Sequence, residues 1–143
     1  MELKDNDKVV LPSGAQLEMS LASFQEGEAL FSSVAECLKS TKIDMKQDVG
    51  NIEENINSLK DGLLSCLTSK KVKDCILVCL KRCIYNGQKI SDWSFFDNIN
   101  LRVDYLNVCW EVARFNLYPF TKNLFAKLSV FQAKANTVSQ KSK

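Results

Sequence analysis

The sequence predicts a mainly α (α+β) domain, a helical bundle of about five helices with an N-terminal β-hairpin. Apolar residues recur at three- and four-residue intervals over most of the chain beyond Phe24, the period of amphipathic helices. Before that point the period shortens to alternation on both sides of Pro12-Ser13-Gly14, the mark of a hairpin. The 143 residues, 45% apolar and 25% charged, suffice for one core and are too few for two ordinary domains. The domain is expected over residues 8–135, with the hairpin at 8–20 and flexible ends at 1–7 and 136–143.

In the hairpin, Val9, Leu11, Ala15, Leu17 and Met19 alternate with Val10, Gln16, Glu18 and Ser20. A lone hairpin is marginal in water, so its apolar face should lie on helices. Ser20 or Ser23 can cap a first helix running to about Lys42, with Phe24, Leu30, Phe31, Val34 and Leu38 inward and Gly27 weakening its start. Residues 41–50 read as a polar linker. A second helix is expected from Ile52 to Leu67, followed by a short connection at Thr68–Lys71. A third, from Val72 to Tyr85, should end at Asn86-Gly87, a good helix stop. Residues 88–98, rich in aromatics, read as a packed connection. The fourth helix starts near Asn98 or Asn100 and is apolar over most of its girth. Its expected solvated stripe is Asp104, Asn107, Glu111 and Arg114. Pro119 should break or kink the path and push Tyr118 out of the helical region, leaving a fifth helix beyond.

Charge is unevenly spread. Residues 1–61 hold 6 Lys against 12 Asp+Glu, whereas residues from 112 onward hold 6 Lys+Arg and no acid. Such polarity suits a head-to-tail match or an anionic partner for the C-terminal end. The charged start, Met1-Glu2-Leu3-Lys4-Asp5, does not read as a signal peptide. The longest apolar run, Cys75–Leu80, falls far short of the roughly 20 residues of a membrane span. No membrane is expected as a partner.

The residue inventory argues against catalysis. With no histidine, the usual neutral-pH base and commonest metal ligand are missing. Six cysteines could suggest a disulfide framework, but Cys75, Cys79 and Cys83 lie four apart, along one face of the expected third helix. They read as reduced core side chains, spread over about 12 Å and too far apart to share one metal ion. Cys83 beside Lys81 and Arg82 is the nearest approach to an activated nucleophile, and burial there would oppose it. Single scattered glycines make no phosphate loop. No enzyme activity, catalytic residue, metal or cofactor is expected. The lysines of the basic end are too irregular for one stripe, so nucleic acid is disfavoured as a partner. Self-association stays open.

The expected fifth helix is the candidate contact surface. Phe120, Leu124, Phe125, Leu128 and Phe131 offer more apolar area than a terminal helix has to bury, with Lys122, Lys127 and Lys134 at the rim. They either close the domain's own core or grip a helical partner, steered by the lysines.

Four stretches, Val10-Leu11-Pro12-Ser13-Gly14-Ala15, Cys83-Ile84-Tyr85-Asn86-Gly87-Gln88-Lys89-Ile90, Trp110-Glu111-Val112-Ala113 and Asn116-Leu117-Tyr118-Pro119-Phe120, carry a family likeness. Across about residues 8–131 the chain resembles the small tail assembly chaperones of long-tailed (siphovirus-like) bacteriophages. The resemblance implies a non-enzymatic protein of the infected host cytoplasm, absent from the mature virion. It implies binding to the tape measure protein, which such chaperones keep soluble, and recruitment of the tail tube protein. In that family a ribosomal frameshift often extends the C-terminus. It supplies no active-site residues to carry over. The alternatives are a virion structural protein of the tail or head–tail junction, or a small nucleic-acid-binding regulator.

Overall fold

Pro12, Ser13 and Gly14 close a hairpin between β1 (Asn6–Val10) and β2 (Gln16–Ser20) in the computed structural model, which describes residues 3–40 and 60–122. Gly14 adopts φ +92°, a conformation glycine reaches without a Cβ penalty. The Leu11 and Ala15 backbones meet across the turn at 2.8 Å. Leu17 and Met19 of β2 point inward and are fully buried, while Gln16, Glu18 and Ser20 face water, as alternation requires. β1 begins at Asn6, two residues before the expected start of the hairpin.

The third helix ends earlier than expected. It spans Lys70–Leu80 (α3 below), and Cys83–Tyr85 is not helical but forms β3, antiparallel to β2 with Leu17 opposite Tyr85 and Met19 opposite Cys83. Pairing there satisfies the second edge of β2, whose buried backbone groups need partners. Cys83 and Tyr85 face in and Ile84 faces out, so the segment also carries a strand's alternation. Asn86-Gly87 is accordingly a hairpin turn and not a helix cap. Both residues have positive φ, +46° and +79°, the signature of a two-residue type I′ turn into β4 (Gln88–Lys89). The four strands lie in the order β1-β2-β3-β4.

Helix α1 (Phe24–Ser40) starts with a capping box: Ser23 Oγ accepts from the Glu26 N–H, and Glu26 accepts from the Ser23 N–H at 3.1 Å. Residues 60–65 are helical (α2) and tighten into a 3₁₀ turn at Cys66–Thr68. The expected linker at 41–50 and the first half of the expected second helix lie outside the described residues. Ser69 caps α3 through the Val72 N–H. The aromatic connection holds a 3₁₀ turn, Trp93–Asp97, whose rings pack edge-on against Tyr85 and Tyr105. Asn98 then caps α4 (Ile99–Arg102), and after a turn at Val103-Asp104 helix α5 runs over residues 105–122.

Pro119 does not end that helix, and Tyr118 remains helical. The proline removes one ladder bond, at a cost of about 3 kcal/mol. Against this, Val108, Cys109, Val112, Ala113, Phe115 and Asn116 are all buried on the helix before it, and Pro119 itself is exposed. Packing outweighs local propensity here. The expected break at Pro119 is absent and the chain turns at Val103-Asp104, inside the expected fourth helix, while residues 123–135 of the expected fifth lie outside the described residues. The class is as the sequence predicts, mainly helical α+β, with the inner face of the sheet and the helices sharing one core.

Candidate interaction surface

Helices α1 and α5 meet at an aromatic cluster. The Phe120 ring stacks on Phe31 at 5.6 Å and lies tilted against Phe24 at 5.9 Å. Gly27, expected only to weaken α1, is the seat for this ring, since a Cβ there would come within 3.1 Å of it. Phe24 is 70% exposed, which corrects its expected inward position, whereas Leu30 and Val34 are buried as expected. Of the candidate partner-binding residues, Phe120 is half-buried on α1 and Lys122 is exposed. Leu124, Phe125, Leu128, Phe131, Lys127 and Lys134 lie outside the described residues.

Asp104 is not part of a solvated stripe. It is 1% exposed, and its Oδ2 accepts hydrogen bonds from the Tyr85 hydroxyl and from Ser13 Oγ, the latter at 2.7 Å. One carboxylate oxygen thus joins the hairpin turn, β3 and the α4–α5 junction. Burial and the adjacent Asp104 push the Tyr85 hydroxyl up to about 12. A second buried polar group, Asn116, accepts from the Ala22 N–H at 2.9 Å and donates to the Val112 carbonyl at 2.8 Å. Glu111 and Arg114 form an ion pair that is itself part-buried, at 24% and 26% side-chain exposure, and not freely solvated.

The junction also presents an apolar stripe that the sequence reading missed. Ile99, Val103 and Leu106 are 74%, 73% and 50% exposed. Ile99 lies on α4, Val103 on the turn that follows it and Leu106 at the start of α5. A helix expected to be apolar over most of its girth is thus buried mainly along Val108, Cys109, Val112 and Ala113, and Leu106 is half exposed.

The thiols are core groups. Burial pushes Cys79, Cys83 and Cys109 up to about 12, and Cys66 likewise, with the neighbouring Cys37 thiol adding to it. Cys83, on β3, does not share a helix face with Cys75 and Cys79. Its thiol lies 3.5 Å from the Cys79 carbonyl, as a donor. A group held neutral in this way lacks the thiolate character a nucleophile needs. Among the described residues no group of three His, Cys, Asp or Glu is placed to hold a metal ion. Nor is any helix among them long and apolar enough to cross a membrane.

The fold and surface define a small α+β protein whose distinctive outward feature is apolar helical surface beside a sheet-backed core. A family model described as phage tail assembly chaperone protein, TAC, matches residues 15–129, most of the chain. The chain belongs to the phage tail assembly chaperone family. That family is not an enzyme family, and it acts with tail proteins during assembly. No curated protein matches the chain, and no solved structure matches it.

Proposed function

We propose that this protein binds the tape measure protein of its phage, keeps it soluble, and recruits tail tube subunits around it. It does so in the host cytoplasm, makes or breaks no covalent bond, and leaves before the virion is complete. The observation that carries this reading is the family match over residues 15–129, which takes in residues 105–122 of α5 and the apolar positions Leu124, Phe125 and Leu128. Physical chemistry supports it. A long helix with exposed apolar rows aggregates unless covered. Small modules bound weakly and many times along its length cover it and still release it when the tube competes.

In this reading Phe120, Leu124, Phe125, Leu128 and Phe131 supply apolar contact, and Lys122, Lys127 and Lys134 steer the acidic flanks of the partner. Phe120 anchors that row to α1 through its stack on Phe31. The test is co-expression with the tape measure protein. The expected result is a soluble complex recovered through a tag on either chain. Equal solubility of the tape measure protein without this chain, and no complex, refutes the reading. Mass spectrometry of purified particles should find the chain missing, and its presence would favour a structural tail subunit instead.

A further inference from the structure

Two cysteines far apart in sequence meet where α1 crosses the end of α2. Cys37 sits on α1, Cys66 opens the 3₁₀ turn, and a hydrogen bond joins their thiols. The stretches that carry them are held together on both sides of the pair. Val34 of α1 shares the core with Leu63 and Leu67, and Lys71 Nζ pairs with Glu36 at 3.0 Å. Access to the two thiols is unequal: Cys66 is fully buried, whereas Cys37 is half-buried. We propose that Cys37 and Cys66 are a redox-active dithiol, a modification site for low-molecular-weight disulfides, which oxidise it to an intramolecular disulfide tethering α1 to the 3₁₀ turn.

The remaining cysteines do not offer this arrangement. Cys75 and Cys79 lie on successive turns of α3, where Cβ atoms point the same way and do not converge on a bridge. Cys79, Cys83 and Cys109 are fully buried, out of reach of a reagent, and the Cys83 thiol is directed at the Cys79 carbonyl. Only the Cys37–Cys66 pair joins a thiol open to solvent with a second one from another element.

Oxidation proceeds by two exchanges. Cys37 gives its proton to solvent, and its thiolate attacks one sulfur of the small disulfide and expels the other half as a thiolate. Cys66 then loses its proton to solvent and attacks Cys37 Sγ in the mixed disulfide, and the second half leaves as a thiolate. Both expelled thiolates take up a proton, so two protein thiols are oxidised and one reagent disulfide is reduced to two thiols. Burial holds Cys66 at about 12 against an ordinary 9.0, which leaves about a thousandfold less thiolate. Its attack is intramolecular, and effective molarities of about 10⁵ M for well-placed groups offset that loss. Closure turns residues 38–65 into one loop, which restricts the unfolded chain.

The experiment treats the native full chain with oxidised glutathione, alkylates the remaining thiols, and maps non-reduced peptides by mass spectrometry. A Cys37–Cys66 cross-linked peptide is expected in at least tenfold excess over any other cysteine pairing, and dithiothreitol should remove it. The oxidised protein should melt at least about 5 °C above the reduced one. Cys66→Ala should stop at a glutathione adduct on Cys37, and Cys37→Ser should leave Cys66 unmodified while the chain is folded. In the unsubstituted chain, a glutathione adduct on Cys37 that never closes, bridging only in denaturant, or no bridging at all overturns the proposal. An oxidised form that melts no higher overturns the tether. The unsubstituted chain gives these answers even where a variant does not fold. No tail protein takes part, so the chaperone reading stands whichever way the result falls.

Discussion

Asp104 shows how much one side chain decides in this molecule. Its carboxylate oxygen takes two hydroxyl donors from distant parts of the chain, in a place water does not reach. Removing it leaves the buried Tyr85 hydroxyl without an acceptor, a loss of about 1–3 kcal/mol, whereas the exposed Ser13 can turn to water. Asp104→Ala is therefore expected to lower unfolding free energy by about 1–3 kcal/mol in denaturant titration, with Tyr85→Phe costing less. A loss below about 0.5 kcal/mol would mean that the network adds nothing. The buried thiols and phenols act together on pH dependence. Cys66, Cys79, Cys83 and Cys109 move from an ordinary 9.0, and Tyr85 and Tyr105 from 10.0, up to about 12 in the folded chain. Their folded values are raised, so their contribution is complete below the unfolded values and is lost as pH climbs toward the folded ones. Thermal melts should hold up to pH 9 and fall steeply between about 9 and 12. A flat profile across that window would show these groups to be open to water.

Two elements carry local conflicts that mutation can expose. The β3–β4 turn needs positive φ at both Asn86 and Gly87, and Asn86 Oδ1 also accepts from the Gln16 N–H at 2.8 Å. Gly87→Ala forces a Cβ into the left-handed region and is expected to cost about 1–2 kcal/mol in equilibrium unfolding, although open space surrounds the site. In α5 the conflict runs the other way. Pro119 sits inside a helix that continues past it, so Pro119→Ala restores a ladder bond and should stabilise the protein by about 1–3 kcal/mol. An unchanged or lowered melting temperature would show that the proline's fixed φ offsets its lost bond. The reading of these elements from sequence failed for a shared reason. Cys75, Cys79 and Cys83 keep a helical spacing, and only the open edge of β2 turns the last of them into a strand. Pro119 is a strong local breaker, overruled by the buried face that precedes it.

The whole molecule combines an N-terminal part rich in acid with a C-terminal end that carries only cations. In the chaperone reading the basic end brings the apolar row toward an acidic partner, and the row then holds it. Leu128→Asp should therefore reduce tape measure capture at least tenfold while the free chain keeps its cooperative melt. Loss of the melt instead would assign Leu128 to the domain's own core. Within the candidate surface, Phe120 was legible in the sequence as an apolar residue of a terminal row. Its use against Gly27 was not, because a glycine's value as a seat depends on which ring arrives above it.

The sequence by itself determined the mainly helical class, the hairpin at Pro12-Ser13-Gly14 and the family, because period, turn chemistry and motif are local properties of the chain. Tertiary structure alone decided that Asp104 is buried, that Cys83–Tyr85 is a strand, and that Ile99, Val103 and Leu106 stay in water. Those outcomes depend on contacts between residues far apart in sequence. A side chain's burial, and a segment's choice between helix and strand, is settled by the neighbour that folding brings to it.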